Sequence, residues 1–254
     1  MSNKSDPMVS VRNLGLHFRS RFYRTVTMRD LFVETMKHPW ETLLRPPRTS
    51  VVFEDLNFDL YRGDRVGLIG VNGVGKSSLC RCIAGIYQPT RGKITIHGEC
   101  RAVFDTGIGI QPELTGRENA EILAELLFAV SREKQKELVE DSLRFADLGE
   151  YVDTPFKFYS NGMMARLCLS LVSAMPADVL ILDEVFDGAD QFFRKKIAQR
   201  VKDQIEKSGT VIFVSHSFDQ VKDVCNRVIL LNERKIVFDG TPEEAYEIYC
   251  GLRV

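Results

Sequence analysis

Apolar and polar residues alternate along 9–18 (VSVRNLGLHF), a period of two that predicts a strand. A basic, aromatic connector follows at 19–24 (RSRFYR). Met28, Leu31, Phe32 and Met36 then recur at helical spacing, and Thr27 with Asp30 resembles a capping box. Pro39 ends or kinks that helix, and Pro46-Pro47 in the linker 44–50 cannot continue one. Alternation returns at 50–60 (SVVFEDLNFDL), before the turn YRGD and the short apolar strand 65–70 (RVGLIG). A helix is predicted at 77–86, and strands at 93–98 (KITIHG) and 100–105 (CRAVFD).

From about 113 the period becomes helical. Segments 118–130 and 131–148 each carry an apolar stripe, and 156–175 leads into a third helix. The run 179–185 (VLILDEV) reads as a core strand. An amphipathic helix (190–209), a strand (210–216), a short helix (217–225), a hairpin (227–240) and a last helix (241–252) complete the chain. Alternating strands and helices predict an α/β fold with a largely parallel sheet covered on both faces. The helical stretch 113–175 interrupts that alternation and reads as a subdomain inserted between sheet strands. No internal repeat or low-complexity segment is present.

Composition narrows the class. The 254 residues weigh 28.9 kDa, with 44% hydrophobic and 27% charged, so disordered and fibrous classes are excluded. Thirty-four basic residues balance 35 acidic ones, which gives no electrostatic case for nucleic acid. No apolar stretch approaches the roughly 20 residues of a membrane span, and residues 1–8 lack the apolar core of a signal peptide, so the expected location is the cytosol. The six cysteines at 80, 82, 100, 168, 225 and 250 lack C-x-x-C spacing and read as reduced thiols. The four histidines are scattered.

Gly70-Val71-Asn72-Gly73-Val74-Gly75-Lys76-Ser77 fits G-x-x-x-x-G-K-[ST] between a strand and a helix, the context that motif requires. Its glycines let backbone N–H groups face phosphate oxygens, and the helix start adds a positive dipole end. Asn72, Gly73, Gly75, Lys76, Ser77 and Ser78 form the expected nucleotide-contacting set. Lys76 is expected to reach the β- and γ-phosphates and Ser77 to ligate Mg²⁺. The strand 179–182 ends in Asp183-Glu184. After such a loop, the Asp is expected to hold the magnesium hydration shell and the Glu to polarise an attacking water.

With these motifs the chain resembles an ABC transporter nucleotide-binding domain, over 51–254 most closely. Tyr159-Ser160-Asn161-Gly162-Met163 stands where that family has its LSGGQ-type signature, Asp190 at its D-loop aspartate, and His216 at its switch histidine. The resemblance implies a P-loop NTPase fold, a mixed sheet core with an inserted helical subdomain, and a single domain over 1–254. It implies that two such domains pack head to tail with ATP and Mg²⁺ between them. Ser160 and Gly162 would complete the cradle of the partner's γ-phosphate, and His216 would contact it. Glu184, His216 and Lys76 are then the catalytic set. Phe18 is the best match to the aromatic residue that stacks on adenine, ahead of Phe22 and Tyr23.

PELTGREN (112–119) is similar to a segment of the ATPases that export lipid-linked O-antigen, capsule and teichoic acid, as is the insertion at about 19–50. That resemblance implies a peripheral homodimer on the cytoplasmic face of the inner membrane, bound to a separate polytopic permease, with no nucleic acid. It makes 27–37 either an interfacial helix or a surface helix packed on the sheet. Several positions depart from the family. The usual metal-ligating glutamine is replaced, on that alignment, by Asp105; Gln111 is displaced from the position and takes no role. Asn161 replaces a small residue, and Asp187 adds charge near the site. No appended glycan-binding β-sandwich is expected before Val254. The alternatives are an ABC ATPase for another cargo and a non-transport ABC protein.

Overall fold

A computed structural model describes residues 6–20, 48–104, 109–186, 190–215 and 217–252. The predicted helix at 27–37, Phe22, Tyr23, Asp105, Asp187 and His216 lie outside these residues. Of the 19–50 insertion, only the two ends are described, as strand.

Two sheets form the framework. Strands β1 (Val9–Ser20), β2 (Arg48–Leu60) and β4 (Arg91–Ile96) make an antiparallel sheet in the order β2-β1-β4. Strands β3 (Arg65–Gly70), β5 (Cys100–Val103), β6 (Val179–Asp183), β7 (Thr210–Val214), β8 (Arg227–Asn232) and β9 (Lys235–Gly240) make the larger sheet, ordered β5-β6-β7-β3-β8-β9. Its pairs are parallel except for the β8–β9 hairpin. The sheet is therefore largely parallel, as the alternation predicted, and mixed, as the family resemblance implied. The separate antiparallel sheet is an addition, because alternation alone does not say which strands pair.

β1 shows how the pattern positions residues. Val9 and Val11 point into the core, and then a register shift at Asn13 moves the inward series to Leu14 and Leu16. Asn13 takes φ of +47°, a conformation Asn tolerates better than most residues. Phe18 is next in the shifted series and reaches the rim, 44% exposed.

The central strands are buried on both faces, which explains their continuous apolar runs. Leu180, Leu182, Val211 and Phe213 face a core with Phe186, Phe193 and Ile197. Val179, Ile181, Ile212 and Val214 face the opposite core, with Leu79, Phe53 and Leu16. The first helix, α1 (Lys76–Ile83), lies in that second core through Leu79, Cys80, Cys82 and Ile83. Burial pushes the Cys80 thiol up, and those of Cys82 and Cys100 to about 11.

Between β5 and β6, neighbours in the sheet, lie α2 (Gly116–Leu127), α3 (Arg132–Ala146) and α4 (Asn161–Val172). They share a core built on Leu123, Phe128, Leu143, Phe156 and Leu167. Thr115 caps α2 in a full capping box with Glu118, and Ser131 caps α3. Two short 3₁₀ helices, Gly149–Asp153 and Phe156–Phe158, precede α4, and helices α5 (Gln191–Ser208), α6 (Phe218–Val224) and α7 (Pro242–Leu252) complete the described elements. Among the described residues no helix is long and apolar enough to cross a membrane.

Phe213 is fully buried and meets Phe186 edge-on at 4.8 Å. Phe213→Ala is expected to cost about 3–5 kcal/mol, read as a lower denaturant midpoint at unchanged slope. A loss under about 1 kcal/mol would show that the core refills the space.

Candidate active site

The carboxyl ends of β3 and β6 meet at one edge of the sheet, where open α/β sheets place ligands. β3 ends at Gly70 and the chain turns through 71–75 into α1. Gly73 takes φ of +79° and Gly75 +106°, conformations other residues reach only at a cost. A Cβ on Gly75 would also lie 2.8 Å from the Val52 side chain. Gly75 is the N-cap of α1 and supplies no side-chain cap. The first-turn N–H groups are thus left for a ligand.

Lys76 is 5% exposed, and its Nζ donates to the Gly70 carbonyl at 2.8 Å and to Val71 O at 3.3 Å. Burial pulls its pKa below the usual lysine range, while Glu184 and Asp183 oppose that shift. Asp183 is 3% exposed. Burial pushes its carboxyl up, against a hydrogen bond with Ser77 that lowers it. Its Oδ1 is buried with no hydrogen-bond partner among the described residues. Such an orphaned carboxylate oxygen beside a serine hydroxyl suits a hard cation that takes oxygen ligands.

Glu184 follows in the left-handed region, φ +58°, with its N–H donating to Val214 O at 3.0 Å. The bond to β7 fixes the turn, which stores strain of about 1–2 kcal/mol. It leaves Glu184 exposed at the rim of an open groove of ≈390 Å³. Val52, Asn72, Gly73, Gly75, Lys76, Ser77 and Ser78 line the rest.

Other sequence candidates lie apart from this groove. Phe18 sits on β1, paired with Ser50 of the strand that carries Val52. Its ring meets Tyr87 edge-on at 5.7 Å. Ser160 caps α4, accepting from the Met163 N–H at 3.3 Å, and Gly162 lies in that first turn. Asp190 accepts from the Phe193 N–H at the start of α5, and from the Arg166 guanidinium of α4. These donors hold its carboxyl below the usual range. Sequence reasoning missed Arg166, which ties α4 to Asp190 at the start of α5, and Val52, whose strand alternation carries no mark of a groove. The Arg166 contact spans 24 positions between two helices, and no local spacing marks it.

A glycine-rich turn into an uncapped helix, with lysine and aspartate buried beneath it, defines a P-loop nucleotide-binding protein. Residues 53–187 match the ABC transporter family, and the chain belongs to it. It is 37% identical over 245 residues to the O-antigen export system ATP-binding protein RfbB of Klebsiella pneumoniae, covering 96% of this chain and 98% of that protein. RfbE of Yersinia enterocolitica, an O-antigen export system ATP-binding protein, is 36% identical over 75% of this chain and 79% of its own. The teichoic acids export ATP-binding protein TagH of Listeria monocytogenes serotype 4b (strain F2365) is 34% identical over 77% of this chain and 58% of its own. The fold also matches a dimeric, post-hydrolysis structure of the ATP-binding cassette MJ0796 bound to ADP and Pi. There the TM-score is 0.72, at 20% identity over 92% of this chain and 99% of that one.

The strained turn at Glu184 gives a test separate from chemistry. Glu184→Gly is expected to leave unfolding free energy within about 1 kcal/mol of the wild type, because relief of strain offsets the added chain entropy. A loss above about 2 kcal/mol in equilibrium unfolding would show that the side chain holds the fold.

Proposed function

We propose that the chain is the ATPase subunit of an ABC exporter that couples ATP hydrolysis to export of a lipid-linked polysaccharide of O-antigen or capsule type across the cytoplasmic membrane. What carries this reading is the gathering of Lys76, Ser77, Asp183 and Glu184 around one open groove, in a chain that aligns nearly end to end with an O-antigen export ATP-binding protein. PELTGREN supports the cargo class.

In this reading Asn72, Gly73, Gly75 and Ser78 hold the triphosphate through the turn and the start of α1. Lys76 leaves its two carbonyl partners for the phosphate oxygens, which restore its positive charge in full. Ser77 and Asp183, with Asp105 as a further candidate, would hold Mg²⁺, which supplies charge neutralisation at the phosphates. Glu184 orients a water for in-line attack on the γ-phosphorus and takes up its proton. The bond from phosphorus to the β–γ bridging oxygen breaks, and ADP and phosphate result. Phe18 stacks on adenine.

A second copy supplies Ser160 and Gly162 to the γ-phosphate, with Asp190 beside the interface and His216 as the switch contact. The homodimer docks on a separate polytopic permease at the cytoplasmic face of the inner membrane, and residues 27–37 are the candidate interfacial helix.

Glu184→Gln is expected to keep ATP binding, lower turnover by about 10²-fold or more and trap a nucleotide-bound dimer. Expressed in place of the wild type, it should empty the cell surface of polysaccharide and accumulate the lipid-linked polymer inside. Wild-type hydrolysis by this variant would overturn the assignment. An unchanged polymer distribution, with the variant stably expressed, would redirect the cargo. Lys76→Ala should abolish thermal stabilisation by MgATP; undiminished stabilisation would count against the phosphate site.

A further inference from the structure

α4 has no basic residue in its last turn, so nothing on the helix answers its negative end. Two arginines from distant parts of the chain do. Arg101, on β5, donates through Nη1 to Met175 O at 2.7 Å and to Val172 O at 3.4 Å. Its Nη2 donates to Glu99 at 2.8 Å, and its guanidinium lies 4.7 Å from the centroid of the Phe128 ring, at the end of α2. Arg200, on α5, donates through Nε to Ser173 O at 2.9 Å and through Nη2 to Asp141 of α3.

The two sites differ in weight. The Arg101 side chain is 3% exposed, against 16% for Arg200. A charge so fully removed from water is tolerated only if its partners are held in place. Those partners are Val172 in the last turn of α4, Met175 two residues past its cap at Ser173, Glu99 just before β5, and Phe128 at the end of α2. The chain itself joins α2–α4 to the sheet only through the segments that lead from β5 and into β6. α4 also packs on the core of that sheet through Ala165, Cys168, Leu169 and Val172, but apolar contacts are non-directional and leave small rotations of the helix open. A guanidinium with its N–H groups in fixed directions removes that freedom.

We propose that Arg101 is the positioning residue for α4. Anchored at its carboxyl end, the 12-residue helix carries its seat along about 18 Å of rigid length to Ser160 and Gly162 at the other end. Arg101 thereby sets where the signature turn stands relative to β5 and β6. Its meaning for turnover rests on the two-copy ATPase reading above; the seating of α4 itself does not.

The test uses the full-length chain with Arg101→Met, which keeps an apolar stem under Phe128 and removes the donors, and Arg101→Lys, which keeps the charge without the fork. The first readout needs neither ATP nor a second copy: hydrogen exchange at the amides of residues 161–166 in the nucleotide-free protein. Arg101→Met is expected to speed exchange there by about 10-fold and leave α1 amides unchanged, with Arg101→Lys in between. The second readout is kinetic. Arg101→Met should keep the affinity for a fluorescent ADP analogue within about 2-fold and lower kcat by about 10-fold or more. In a Glu184→Gln background it should also lose the ATP-driven dimer. Unchanged exchange in 161–166 overturns the proposal. So does faster exchange spread over α1 and the sheet, or lost ADP affinity, since either makes Arg101 a general stability residue. If the Arg101-intact protein neither hydrolyses ATP nor dimerises, the ATPase reading falls, and the exchange result still decides the seating of α4.

Discussion

The site depends on two opposite charges held where water is nearly absent. Lys76 and Asp183 stand at the ends of a helix start and a strand, both almost fully buried. Desolvation disfavours the charged form of each, lowering the lysine and raising the aspartate. The lysine offsets its cost by bonding two carbonyls of its own loop, and the aspartate by bonding Ser77. In the proposed reading a triphosphate and a cation would supply stronger partners to the same atoms. On that reading the folded protein holds a costly geometry that ligand would stabilise.

That geometry is possible because the sheet is covered twice. Alternate residues of β6 and β7 enter opposite cores, so neither strand can slip without exposing a whole row of large side chains. Asp183 is the last residue of β6, paired with Val214, and the Glu184 N–H closes the turn onto the same valine. The carboxylates are thus placed by strand register.

Much of this was legible in the sequence. The glycine spacing and the apolar strand before Asp183 are local signals, and each yields the expected element; the helix predicted from 118 begins instead at Gly116, where Thr115 and Glu118 form a capping box. β3 and the β8–β9 hairpin follow the predicted ranges, while β1 and β2 extend two residues beyond theirs, at Ser20 and Arg48. What stayed hidden depends on contacts between distant segments. The antiparallel sheet needs pairing information that alternation lacks. The donors that hold the Asp190 carboxylate include Arg166 on another helix. Arg101 reaches carbonyls more than seventy positions away, and no spacing rule marks it.

α1 has eight residues and no side-chain cap, well short of the roughly 12–15 that a helix needs to persist alone. Its order is borrowed from Leu79, Cys80, Cys82 and Ile83, all buried under the sheet. The turn proposed to hold phosphate is therefore anchored by packing before any ligand arrives. Through α1 that turn is tied to the second core, so a ligand held there would be felt as cohesion of the whole unit built on that core.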